Sequence, residues 1–173
     1  MRKPYVVATC LMLIITLFSG CENKSKSKTE AGVTKVIEPS QILSKDDAKE
    51  LTGVNFGEGT VTEQPKVGLK LCVYEKNGAF LQVGITQAAF MDEKSRKFGN
   101  TPESIYKITK EAFKNADKID GVGNDNFLAP PGLHIVQDGY YLTVSFGVSN
   151  DREKLKTAGM RAVANLKKYA AQK

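Results

Sequence analysis

Three cysteines and one histidine are the side chains here from which nucleophilic or metal chemistry would be built. Cys10 lies inside an apolar run, Cys21 at the end of that run, and Cys72 far downstream with His134. A thiolate is the strongest side-chain nucleophile near neutral pH, so each cysteine is read by its surroundings. Cys21 follows Phe18-Ser19-Gly20 and precedes Glu22-Asn23. Small residues before a cysteine give an enzyme access to the backbone, and the thiolate can then take up a diacylglyceryl group as a thioether. Cys72 and His134 would form a thiol–imidazole pair if the fold brought them together. One histidine excludes a multi-histidine metal site within one chain, so no metal or other cofactor is expected. Gly121-Val122-Gly123 lacks the third glycine and the strand-then-helix context of a dinucleotide loop. It reads as a turn, as do the neighbouring Asp120, Asn124, Asp125 and Asn126, whose spacing is not that of a calcium loop.

The run before Cys21 sets its fate. Arg2 and Lys3 precede Tyr5–Phe18, which is broken only by Thr9, Cys10 and Thr16. Such a run reaches only about 21 Å as helix, against roughly 30 Å of hydrocarbon. It therefore reads as the core of a signal peptide over residues 1–20. Bulky Phe18 at −3 disfavours ordinary cleavage. The same pattern resembles a bacterial lipobox, with a large apolar residue at −3 and small ones at −2 and −1 of the cysteine. Val7-Ala8-Thr9-Cys10 lies inside the run and is not an alternative. Cys21 is thus the expected lipid-attachment residue, carrying diacylglycerol and palmitate. One acyl chain holds a protein marginally and two hold it stably.

Removal of residues 1–20 leaves 153, enough for one domain with its own core. The basic residues then number 23 against 19 acidic, dispersed and without aromatic interleaving, which argues against nucleic acid. With Cys21 acylated, Cys72 has no partner within the chain, so no disulfide framework is expected. Residues 21–40 are rich in Lys, Ser, Glu and Thr and read as a flexible tether. Residues 41–173 read as a single α+β domain.

Its elements must position anything else of interest. Ser44 with Asp47 forms a capping-box pattern ahead of a helix that ends at Gly53. Thr101-Pro102 starts a second helix, with Ile105, Ile108, Ala112, Phe113 and Ala116 as its expected apolar face. Asn150 with Glu153 starts a third, with the stripe Leu155, Ala158, Ala162, Val163 and Leu166. Between them lie two hairpins. Asp138-Gly139 as a two-residue turn pairs Ile135 with Leu142 and Leu133 with Val144. For Asn77-Gly78 a three-residue loop, Lys76-Asn77-Gly78, is expected, because it pairs Val73 with Leu81, Leu71 with Val83 and Leu69 with Ile85. "NGAFLQVGI" and "DGYYLTVSF" match in pattern with their glycines 61 residues apart. Weaker strands are expected at Gly59–Gln64 and Asp125–Ala129. The reading is two α-β-β-β units forming an antiparallel sheet, helices packed on one face, and a C-terminal helix.

On those registers Cys72, Tyr74, Phe80, Gln82, His134, Tyr141, Thr143 and Ser145 all point away from the Leu/Val/Ile face. Tyr74, Phe80, His134 and Tyr141 then form a candidate face for a ligand or partner. The alternative is that residues 87–100 fold over it, using Phe90, Met91 and Phe98.

The lipobox pattern, the polar tether, "ILSKDDAKELTG", the Cys-x-Tyr strand at Cys72 and Tyr74, "GVGND" at Gly121–Asp125, and the final hairpin and helix together resemble a group of small, poorly characterised bacterial envelope lipoproteins. The resemblance implies an envelope location and brings no established catalytic residues. The expectation is a lipid-anchored protein of a bacterial cell membrane or outer membrane, its domain outside the cytoplasm. It would act without catalysis, binding or assisting an envelope protein or small ligand. The competing expectation is an exported enzyme using Cys72 and His134.

Overall fold

The computed structural model describes residues 35–147 and 151–171. The expected signal segment, Cys21 and Asn150 lie outside them. The helices are α1 (Pro39–Ile42), α2 (Lys45–Thr52), α3 (Glu93–Lys97), α4 (Pro102–Ala112) and α5 (Arg152–Ala170). The strands are β1 (Thr60–Gln64), β2 (Leu69–Lys76), β3 (Ala79–Thr86), β4 (Asp125–Ala129), β5 (Gly132–Gln137) and β6 (Tyr140–Phe146). They form one antiparallel sheet in the order β1-β2-β3-β6-β5-β4. This is the expected mixed α+β class, with two α-β-β-β runs and a closing helix.

Local chemistry sets most element ends. Ser44 Oγ accepts from Asp47 N, and Asp47 accepts from Ser44 N at 2.9 Å. Gly53 closes α2 in the left-handed region. Thr101 and Ser104 form the same reciprocal box at α4. α5 is capped by Asp151, one residue beyond the expected Asn150, and buries the whole expected stripe.

The two halves of the sheet are related by their pairing. Val83 lies opposite Val144, its own counterpart at an offset of 61. Leu81 pairs with Phe146 and Ile85 with Leu142, so counterparts cross over symmetrically. That is the pattern of a two-fold axis perpendicular to the sheet, through the β3–β6 pair. Both hairpins close on two-residue turns whose residues all have positive φ: Asn77 +52° and Gly78 +79°, Asp138 +47° and Gly139 +82°.

The second hairpin has the expected register, and the first does not. Leu71 lies opposite Gly84, and Cys72 opposite Val83. The inner face of β2 is therefore Lys70, Cys72 and Tyr74, while Leu69, Leu71 and Val73 look outward. The shorter turn wins because Asn77 takes up a left-handed conformation, and the inward polar atoms are satisfied. Tyr74 Oη donates to Leu43 O at 2.9 Å. Lys70 is held by Glu38 and by Glu63 at 3.0 Å, over the ring of Phe90.

On this inner face α1 and α5 pack against the sheet and α2 packs on α5, over Leu81, Val83, Ile85, Leu133, Ile135, Leu142 and Val144. α4 lies on the opposite face, against β5 and β6. Its inward side chain is Tyr106, whereas Ile108, expected inside, is 67% exposed. The folded domain also includes residues before the expected boundary at residue 41. Ile37 is fully buried, and its N–H and C=O both bond to the Gln87 side chain at 2.8 Å. Residues 37–40 thus belong to the domain, because a buried backbone needs partners and Gln87 supplies both.

Candidate functional site

The structure separates the expected site residues. Cys72 sits on the inner face, in the row Cys72–Val83–Val144–Leu133. His134 belongs to the neighbouring row, opposite Thr143, and so points to the other face. They form no nucleophile pair. Burial pushes the Cys72 thiol above its ordinary pKa, the reverse of what an attacking thiolate requires. Tyr74 is likewise removed from the expected ligand face. It is 2% exposed, beside Phe56, with a ring-centroid distance of 6.4 Å. The one-residue change of register accounts for both corrections.

His134 and Tyr141 do share a face, but α4 covers it. His134 stacks on Phe127 at 4.5 Å between centroids, with the rings 4° from parallel. Tyr106 meets Phe127 at 5.3 Å and Tyr141 at 5.5 Å. His134 Nε2 lies 3.2 Å from Ala129 O, an acceptor only, so Nε2 carries the proton. Nδ1 then accepts from the Tyr141 hydroxyl at 2.6 Å. Burial lowers the pKa of His134, favouring this neutral tautomer. Residues 87–100 are not the cover. Their 3-10 turn, Ala88–Phe90, and α3 wrap one end of the sheet, where Met91 is buried.

At the rim of this cluster, Asp125 takes hydrogen bonds from Lys110 and, at 2.7 Å, from Lys118. Burial works to raise its pKa, but these bonds outweigh it and hold the carboxyl well below the ordinary range. The Tyr106 hydroxyl feels the Asp125 charge, yet it finds no hydrogen-bond partner of ordinary geometry among the described residues. Asn126, weighed as a calcium ligand, is a structural residue. Its amide bonds Ile119 N, Ile119 O and Val122 O at 2.7–2.8 Å and so shapes the Gly121–Gly123 turn.

Phe80 stays on the outer face, where the sequence reading placed it. It is the counterpart of Tyr141 at the 61-residue offset but lies in the half that α4 does not cover. It is half-exposed on the same face as Leu69, Leu71 and Val73, at the hairpin tip opposite Glu75. Gly84 makes this surface shallow: a Cβ there would stand 3.1 Å from Leu71 Cδ1 and 3.3 Å from Leu69 Cδ1. Phe80 also lines a groove of about 440 Å³ with Val54, Ala79 and Phe146, which has Lys154 at its margin. Val54, Ala79 and Phe146 belong to the inner side of the sheet, so the outward Leu69–Leu71–Val73 strip and this groove are two separate apolar surfaces, either of which can accept a hydrophobic side chain or a short apolar segment. The Leu69–Leu71–Val73 strip was missed because the expected register buried it. A cue was present: Tyr74 and Cys72 are well suited to interior positions. No protein-family model, curated protein or solved structure matches this chain.

Proposed function

We propose that this chain is a lipid-anchored bacterial envelope protein, held to the membrane through Cys21, whose domain binds or assists an apolar segment of another envelope protein. The anchor reading is supported by the basic start, the short apolar run and Phe18-Ser19-Gly20-Cys21. The binding reading is carried by one observation. Leu69, Leu71 and Val73, with Gln82 and Phe80 nearer the hairpin tip, form a half-exposed and largely apolar strip on the half of the sheet face that no described helix principally covers, while the Phe80 counterpart Tyr141 is sealed beneath α4. The enzymatic alternative loses its support with the separation of Cys72 from His134.

Two measurements test the two parts. Mass spectrometry of the mature protein should find a diacylglyceryl-modified amino terminus at Cys21, and Cys21→Ser should leave uncleaved precursor. An unmodified terminus sinks the anchor. For the strip, a photo-cross-linking residue is placed at position 80 or at position 141 in intact cells. A discrete protein adduct is expected from position 80 only, and Leu71→Lys should remove it. Equal labelling from both positions, or none from position 80, sinks the binding surface.

A further inference from the structure

Where the chain enters the fold determines which end of the domain faces an anchor. The entry point is Ile37, fixed by both hydrogen bonds to Gln87. Gln87 N bonds Gly68 O at 2.9 Å, and Asp92 N bonds Pro65 O at 2.9 Å. These ties place the entry point, the 3-10 turn Pro65–Val67 and α3 at one end of the β2–β3 pair. Only fifteen residues lie between Cys21 and Ile37, no more than about 55 Å of contour.

That end carries the most exposed large apolar side chain among the described residues. Phe98, directly after α3, is 75% exposed. Around it stand exposed Lys94, Arg96 and Lys97 of α3, with Lys66 on the adjoining turn and Lys35 just before the entry point. Four acidic groups lie at this end, and all are engaged: Glu38 and Glu63 hold Lys70. Asp92 caps α3 by accepting from Ser95 N at 2.7 Å, and Glu93 pairs with Lys97 at 2.7 Å. Asp92 also feels Lys66 and Lys94. Arg96 has no ion pair among the described residues. An aromatic ring ringed by basic side chains suits a bilayer interface: the ring enters the headgroup–acyl boundary and the cations meet anionic headgroups.

We propose that Phe98 with Lys35, Lys66, Lys94, Arg96 and Lys97 is a membrane-contact patch that seats this end of the domain on an anionic lipid surface. The proposal rests on the lipid-anchor reading for the membrane's proximity. Seating of this end leaves the Phe80 hairpin tip, at the opposite end of β2 and β3, directed away from the bilayer. The patch thus gives the anchored domain an orientation as well as an attachment.

The chain contains no tryptophan, so Phe98→Trp introduces a single indole reporter. The full chain carrying it is reconstituted into vesicles of phosphatidylcholine, alone or with phosphatidylglycerol, with and without brominated acyl chains. The expected result is a blue-shifted emission and about a two-fold loss of intensity with brominated lipid in the anionic vesicles. High salt should reverse it, as should Lys94→Glu, Arg96→Glu and Lys97→Glu together. The salt titration needs no charge variant, so it tests the proposal even if the triple variant disturbs α3. Emission indifferent to brominated lipid, or equal quenching in both lipid compositions, overturns the patch. Mass spectrometry of the same sample separates the two readings. Modified Cys21 without quenching overturns the patch alone, and quenching with unmodified Cys21 overturns the anchor and leaves the patch standing.

Discussion

The two halves of the sheet share strand order, turn type and register about the Val83–Val144 pair, yet their outer faces end differently. In the β4–β6 half, Phe127, His134 and Tyr141 form an aromatic surface to which Tyr106 of α4 adds a fourth ring. In the β1–β3 half the corresponding strands offer Leu69, Leu71 and Val73 around Gly84, with Phe80 at the tip. The helix preceding that half, α2, goes to the inner face instead, where Ala48 is buried and Arg161 of α5 binds Asp47 and Glu50. A repeated hairpin thus specifies the sheet but not the side on which its helix docks. Docking follows the apolar area each face presents, since helix stability comes mainly from tertiary packing. One half closes into core and the other stays half-open.

The sharpest way to break this comparison is the counterpart pair Tyr141 and Phe80. Tyr141→Ala should cost about 3 kcal/mol, since it empties packed space and leaves His134 Nδ1 without its donor. Phe80→Ala should cost about 1 kcal/mol, as expected for a half-exposed ring. Denaturant midpoints at constant m-value measure both, and equal losses would mean that the first half is as well covered as the second.

The two turns provide a control in which the halves should agree. Gly78→Val and Gly139→Val each place a β-branched residue at φ near +80° and should each cost more than about 1 kcal/mol. A midpoint unchanged in either variant would contradict that turn.

The smallest expected difference is a pH dependence confined to the covered half. The folded pKa of His134 lies below its ordinary 6.5, so the folded chain binds fewer protons than the unfolded one as pH falls. Its contribution is therefore full above about pH 6.5 and is lost as pH drops through that value towards the folded pKa. Asp125, also lowered, keeps its contribution until pH falls below about 3.8, where the unfolded carboxylate takes up its proton. The two windows are distinct. His134→Phe should flatten the stability profile just below pH 6.5 and leave the more acid limb in place. Val73, the counterpart of His134, has nothing to titrate, so a profile unaffected by His134→Phe would place the sensitive group elsewhere.

The sequence by itself determined whatever rests on neighbours within a few residues. Ser44 with Asp47 is read directly, because a capping box closes over three residues, and Thr101-Pro102 because a proline fits the first helical position. The Asp138-Gly139 turn is read because only one register puts Leu133, Ile135, Leu142 and Val144 on the same side. The α5 stripe is read because it is buried along its whole length. Tertiary structure decided the rest. "LKLCVYEK" has apolar residues on both faces, so alternation could not say which was inside. The outcome depended on Leu43 O for Tyr74, on Glu38 and Glu63 for Lys70, and on Asn77 accepting positive φ. α4 gave a similar ambiguity, with Ile105 and Ile108 suggesting a stripe and Tyr106 lying where the rings of β4 and β6 wait. Of the four residues expected on one open face, Tyr74 lies inside, His134 and Tyr141 lie beneath α4, and Phe80 alone stays half-exposed. Whether an aromatic residue on a strand becomes core or surface depends on which helix lies over it, and that is settled by contacts distant along the chain.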